Sequence, residues 1–199
     1  MNRPARKPRV AGFALFTLFL TAVFVALGVW QLQRRTAKHE LIAALTERLA
    51  TAPIALPPPA QWAALNPARD EFRRVSFTAT YAASPDAMVY SSGSAVRKDA
   101  SGPGTWAFLP ARLPSGEMVV IDAGFVENTM QDRSVEDRAV KKLVTGQPVA
   151  LTGYLRFPEP SGWLTPAQNR DKRLWFVRDH VAIASALGWG AVAPFYIDL

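Results

Sequence analysis

"GTWAFLPARLPSGEMVVIDAGF", residues 104–125, is the stretch that decides the fold. Two runs rich in aromatic and branched apolar residues flank Pro114, Ser115 and Gly116. Proline presets its own φ and glycine reaches positive φ, so the middle reads as a turn and the flanks as two strands of a hairpin. Outward from it, "RRVSFTATYA" (73–82) alternates, with Val75, Phe77, Ala79 and Tyr81 on one face and Arg74, Ser76, Thr78 and Thr80 on the other. "VALTGYLRF" (149–157) sets Val149, Leu151, Leu155 and Phe157 against Thr152, Tyr154 and Arg156. Period two with one apolar face is a half-buried strand. "MVYSS" (88–92), "LWFVRD" (174–179) and "PFYIDL" (194–199) read as shorter strands, and "HVAIASALG" (180–188) as a short helix closed by Gly188. About six strands with few helices predict an α+β chain built on a small, mostly antiparallel sheet or a partly closed barrel. The charged run from Asp132 to Lys142 reads as a solvated loop or short helix.

The chain has 199 residues, 49% of them hydrophobic, a formal charge of +7 and no cysteine. Thiol chemistry, disulfides and cysteine-ligated metals are therefore excluded. The two histidines, His39 and His180, lie far apart and form no metal motif. Arg3, Arg6, Lys7 and Arg9 precede an uncharged run from Val10 to Gln33 that ends at Arg34. At about 1.5 Å per residue this run spans roughly 35 Å, against about 30 Å of hydrocarbon in a bilayer. A transmembrane helix is expected over 10–32. A cleaved signal peptide would have a shorter apolar region ending at small residues, whereas this one ends in Trp30, Gln31 and Leu32. Four basic residues before the span against Arg34, Arg35 and Lys38 after it favour a cytoplasmic head over 1–9 and the bulk of the chain across the membrane.

A helical stalk is expected over 33–50, where Ala37, Leu41, Leu45 and Leu49 recur every four residues. That stripe would rest on the chain's own domain or on the membrane surface. Pro53, Pro57, Pro58, Pro59 and Pro67 make 51–70 an extended or turning linker, with an SH3-type ligand as the alternative. The β-rich domain then covers 71–199.

The catalytic motifs HExxH, GxSxG and GxGxxG are absent from the sequence, and "SGPG" (101–104) lacks the context of a phosphate-binding loop. Asp122, Asp171 and Asp179 are carboxylates near arginines; ordinary charge pairing and acid–base work are both open to them. Basic and aromatic residues interleave at Arg156, Phe157, Trp163, Arg173, Trp175, Phe176 and Arg178. That pattern suits single-stranded nucleic acid or, behind a membrane anchor, a core or interface role.

"LGVWQLQRRTAK" (27–38) resembles the opening signature of the SURF1 family of cytochrome oxidase assembly proteins, in which a transmembrane helix ends in G-x-W-Q-x-x-R. Gly28, Trp30, Gln31 and Arg34 hold those positions, with Lys38 beyond. Arg73, Arg74 and Val75 match the next family segment, and 104–126 resembles the family's central hairpin. There the usual Asn-Arg pair is replaced by Asp122 and Ala123, while Gly124 and the aromatic Phe125 remain. Gly153, Leu155, Arg156, Pro166, Asn169, Trp175 and Asp179 match the late segment, and "APFYIDL" (193–199) the end.

The resemblance implies a bacterial inner-membrane protein with its bulk in the periplasm and no catalytic residues. It implies that the protein aids maturation of cytochrome c oxidase subunit I beside other oxidase assembly factors, with the lipid bilayer but no nucleic acid as a further partner. It also implies a continuation past Leu199 into a second transmembrane helix preceded by a histidine. Two other readings stay open: a haem a binding, transfer or modifying protein, and a purely structural membrane-tethered domain. Haem a would be a cofactor of the longer protein; a porphyrin needs an apolar slot, an axial ligand and propionate donors. Within these residues Trp30 offers a ring, and Arg34, Arg35 and Arg74 offer donors. The resemblance thus makes Gly28, Trp30, Gln31, Arg34 and Arg74 the candidate partner or haem-propionate contacts. Gly124, Gly153, Arg156, Trp175 and Asp179 are its structural positions. The plainer reading of Gly28, Trp30 and Arg34 is an interfacial collar that any membrane helix would carry.

Overall fold

The computed structural model describes residues 7–93, 102–127, 129 and 132–199, with side chains described for 12–35 and, within those ranges, from 46 onward. Lys38, His39 and most of the 37–49 apolar stripe lie outside the described side chains. The chain divides into two compact units, Met1–Glu47 and Arg48–Leu199.

The first unit is carried by helix α1 (Lys7–Ala50). Its one proline, Pro8, lies in the first turn, and Gly12–Arg35 is long and apolar enough to cross a membrane. Phe13, Leu15, Phe16, Leu18, Phe19 and Phe24 are exposed along the helix. The two hydroxyl side chains inside the span bond back to their own helix: Thr17 Oγ1 donates to the Phe13 carbonyl at 3.0 Å and Thr21 Oγ1 to the Thr17 carbonyl at 2.9 Å. A hydroxyl satisfied in this way needs no water, as the hydrocarbon interior demands.

The second unit is a closed barrel. Its strands are β1 (Ile54–Ala55), β2 (Arg74–Tyr81), β3 (Ala87–Ser91), β4 (Gly104–Arg112), β5 (Met118–Glu127), β6 (Val149–Arg156), β7 (Leu174–Trp175) and β8 (Val192–Asp198). Five of them close a ring, β2-β6-β8-β5-β4, shut by β2 against β4 at Thr80↔Arg112 and Tyr81↔Ala111. Every pair in the ring is antiparallel except β5–β8. Counted along the barrel this is the order 1-2-3-5-4-1, the Greek-key arrangement of an OB-type barrel. The hairpin β4–β5 turns at Gly116, where φ is +105° and the Gly116 amide donates to the Leu113 carbonyl at 2.9 Å.

Strict alternation sorts the side chains into two cores. Val75, Ala79, Leu109, Val119, Ile121, Leu155, Phe195 and Ile197 fill the barrel. Trp106, Phe108, Val120 and Tyr196 point outward and are covered by β3, β7, Trp189 and helix α4 (His180–Leu187). α4 ends as predicted at Gly188, left-handed at φ +70°. OB-type barrels use this kind of outer face for ligands, but here an apolar layer occupies it. The proline-rich stretch turns as expected, through a 3-10 segment (Pro59–Ala64), yet it is packed rather than free. Trp62 meets the Phe195 ring edge-on at 5.3 Å, donates its indole N–H to the Pro57 carbonyl at 2.8 Å, and with Leu56 and Leu65 joins the barrel core.

Candidate functional site

Trp30 and Arg34 lie one turn apart, with the guanidinium 5.4 Å from the indole centroid, a cation–π contact between residues on one helix face. Gly28 and Gln31 occupy the adjoining face at i, i+3 spacing. Trp30 is half exposed, and a Cβ on Gly28 would meet nothing within 4 Å. The Gly28 surface is therefore open to a lipid chain or a second helix.

Arg74 belongs to the other unit, and there it joins a cluster that the sequence did not announce. Arg48, Thr51, Ala52, Ile54, Arg69, Arg73 and Arg74 line an open cavity of about 420 Å³. Its scaffold is the short helix α2 (Pro67–Asp70), capped by Asn66, whose side chain accepts the Ala68 amide at 2.9 Å. Asp70 reaches back to accept the Asn66 amide at 2.8 Å. It is fully buried and paired with Arg69 at 2.9 Å and Arg73 at 2.8 Å. Burial pushes the Asp70 carboxyl up, but the Arg69 and Asn66 hydrogen bonds and the Arg73 and Arg69 charges outweigh it and hold it below its ordinary value. Phe72 then takes φ +61°, rare for a bulky residue, to turn the chain from α2 into β2. Arg73 and Arg74 follow that turn directly. Arg48 donates to the Glu71 and Ala68 carbonyls, both at 3.1 Å, and Arg74 has no partner among the described residues. Only Arg69 and Arg73 are thus paired with Asp70, whose single charge offsets one of the four.

The positions matched in the late family segment lie elsewhere. Arg156 is the centre of an ion network, 3.1 Å from Glu71, 3.3 Å from Asp198 and 3.6 Å from Glu159, with its guanidinium 4.3 Å from the Phe72 ring centroid. Arg178 stands 3.9 Å from buried Asp122 and 3.8 Å from Asp198, over the Trp106 ring. Gly153 lets β6 approach β8, since a Cβ there would come within 2.6 Å of the Asp198 carbonyl oxygen. Gly124 takes φ +119°, Trp175 is buried in the outer core, and Asp179 caps α4 by accepting the Ala182 amide at 3.0 Å. The carboxylates Asp122 and Asp179 therefore do separate structural jobs. Arg156, Arg173 and Arg178 are ion-paired, Phe157 and Trp175 are buried and Phe176 packs on Tyr90, which leaves Trp163 as the exposed aromatic of the interleaved set.

The run 132–142 forms the short helix that was one of its two expected forms, but one of its charges is buried rather than solvated. Helix α3 (Ser134–Leu143) forms there, and Glu136 is fully buried. Thr105 Oγ1 donates to Glu136 Oε2 at 2.5 Å and lies 2.7 Å from Thr129 Oγ1. Burial, then a hydrogen bond with Asp86, raise the Glu136 carboxyl to about 9, against the opposing Thr105 bond and Arg133 charge. Glu136 is therefore protonated at neutral pH, beside an Asp86 held by Arg133 at 2.9 Å and Arg173 at 2.5 Å. An acid whose folded pKa is raised binds its proton more tightly folded than unfolded. Its contribution is present below about pH 4.5 and is lost as pH rises toward 9. Denaturant midpoints should accordingly fall across that window, by at most about 1.4 kcal/mol per pH unit. Glu136→Gln, which keeps the shape of the neutral acid, should flatten the slope and exceed the parent at pH 8. Equal slopes for the two proteins would contradict the assignment.

His180 is sealed in the fold: its Nε2–H donates to the Ala193 carbonyl at 2.9 Å, and burial lowers its pKa. The arginine cavity has neither an axial ligand nor an aromatic wall. The arginine cavity therefore does not fit a haem.

Together these features define a small closed β-barrel following an N-terminal helix long and apolar enough to span a membrane. The SURF1 family pattern matches residues 18–199, and the chain belongs to the SURF1 family. It is 28% identical to Surfeit locus protein 1 of Rattus norvegicus over 92% of this chain and 60% of that protein. It is 29% identical to a SURF1-like protein of Monosiga brevicollis (91% and 69%) and 26% identical to one of Drosophila melanogaster (99% and 66%). The chain thus spans about three-fifths to two-thirds of the length of these relatives.

Proposed function

We propose that this chain acts as a non-catalytic, membrane-anchored assembly factor for haem-copper cytochrome c oxidase, acting on subunit I during its maturation. The observation that carries the reading is the match to the family over 18–199, which begins inside the apolar span and runs through the whole barrel. The physical features agree with such a role. The span offers a lipid-exposed face with a glycine opening at Gly28 and a polar amide at Gln31, the pair a second helix needs for close packing and a hydrogen bond. The barrel keeps its outer β4–β5–β8 face closed by an apolar layer and leaves an arginine cavity as its open polar feature.

The basic head supports an orientation with the barrel outside the cytoplasm, and the family resemblance supports the periplasm of a bacterial cell whose inner membrane holds α1. The test is loss of the gene. Spectrally intact oxidase should fall severalfold while an unrelated respiratory complex keeps its level.

A further inference from the structure

We propose that the cavity formed by Arg48, Arg69, Arg73 and Arg74 is a phosphate-binding site, and that its natural occupant is the headgroup of an anionic phospholipid. Four guanidiniums face one open cavity of about 420 Å³, and a single carboxylate, Asp70, stands behind two of them. Asp70 fixes its two partners and still leaves each with free donors. Arg69 places Nε and Nη2 on Asp70, and Arg73 places Nη2 there, so Nη1 of both remains available. Arg48 is held in place by two neutral carbonyls, which orient its charge without cancelling it. Arg74 is half-buried with no partner among the described residues.

Like charges gathered this closely repel, and a fold keeps them together at a cost unless an anion joins them. Three uncompensated positive charges exceed what one carboxylate ligand would neutralise and suit a phosphate ester, which presents several acceptor oxygens. Guanidinium is the side chain whose fork grips such oxygens in pairs. Four arginines and Thr51 make up the lining with Ala52 and Ile54, and no aromatic side chain is among them, so the cavity suits a charged headgroup, with the arginine stems and Ile54 against its glycerol end.

The covalent tether selects the lipid source over a free phosphate. Roughly a dozen residues join Arg35, at the end of the span, to Arg48, and even fully extended they reach no more than about 45 Å. The cavity is thus confined to the vicinity of a surface where headgroups are always at high local concentration. The inference does not depend on the assembly role, because its readout is binding to the purified protein.

The experiment uses the full chain in nanodiscs of phosphatidylcholine alone or with phosphatidylglycerol, followed by release into detergent and native mass spectrometry. Wild-type protein should retain phosphatidylglycerol at least tenfold more than Arg48→Gln/Arg74→Gln. Arg74→Gln alone should lose several-fold, and because the Arg74 side chain makes no hydrogen bond or ion pair among the described residues, its unfolding midpoint should change little. Arg138→Gln/Lys141→Gln on α3 removes the same charge from another face and should retain lipid as wild type does. Inorganic phosphate is titrated in the phosphatidylcholine discs. If it binds with the same dependence on Arg74 while phosphatidylglycerol is not retained, the site takes phosphate but the lipid assignment is overturned. Equal lipid retention by wild type and Arg48→Gln/Arg74→Gln, with no phosphate binding, overturns the site. So does equal loss in the α3 control, which would reduce the effect to net charge.

Discussion

Asp70→Asn is expected to destabilise the barrel unit by about 2–4 kcal/mol, a loss of the order of 5–15 °C in thermal midpoint. Asp70 is a fully buried carboxylate that accepts the Asn66 amide and holds Arg69 and Arg73 at once. The amide substitution keeps the volume, removes the charge and turns two donors toward two guanidiniums. Removing one partner of a fully buried pair costs about 3–5 kcal/mol; here the arginines are partly exposed and water recovers part of their solvation, so the figure is lower. The same reasoning gives a sign in pH. The depressed Asp70 carboxyl stabilises the fold above its unfolded value near 4, and that contribution is lost as pH falls through the lower folded value. Thermal unfolding at one scan rate, wild type against Asp70→Asn, measures the effect, and a shift under 2 °C would show that Asp70 is not what holds the arginines.

The second large effect is on oxidase yield. Trp30→Phe keeps apolar bulk but loses the indole donor, and Arg34→Lys keeps charge but loses the planar fork. Gln31→Leu removes an amide while making the helix easier to insert. If the four residues merely collar the helix, all three proteins should support normal assembly. We expect instead that each lowers spectrally intact oxidase several-fold per unit of membrane-inserted protein. The Trp30–Arg34 contact is part of the reason: a guanidinium stacked at 5.4 Å on an indole is held in one place, whereas an ammonium is strongly hydrated and mobile. Wild-type yield from all three would return the stretch to the role of an interfacial anchor.

The strands were legible wherever one face was buried and the other wet, because alternation is then written into the chain. β2 and β6 are of this kind, and Val75, Ala79 and Leu155 fill the barrel as their spacing foretold. β4 was legible as a strand, but its second apolar face was not legible as a second core. Trp106 and Phe108 need β3, β7 and α4 to cover them, and that layer is assembled from segments far apart in sequence. β1 and β7, two residues each, carry no periodicity at all. Closure of the ring rests on β2 meeting β4 and on the parallel pair β5–β8, neither of which a one-dimensional pattern encodes.

The candidate site divides in the same way. The span announced itself through the absence of charge over Val10 to Gln33, and the collar through spacing within one helix. Arg74 was legible only through family resemblance, and its neighbours were not: Arg48 comes from the end of α1 and Arg69 from α2. The left-handed turn at Phe72 that sets Arg73 and Arg74 has no glycine to signal it. Glu136 was read as one charge in a solvated run because nothing in the run shows that Thr105 and Asp86, some thirty and fifty residues earlier, close over it.

The assembly role is tested most directly by deleting the gene and measuring spectrally intact cytochrome c oxidase in the membranes, with a second respiratory complex as the reference and the full-length gene restored on a plasmid. The account predicts a severalfold loss of oxidase alone, reversed by the wild-type gene. An unchanged oxidase signal, or an equal fall in both complexes, would contradict it.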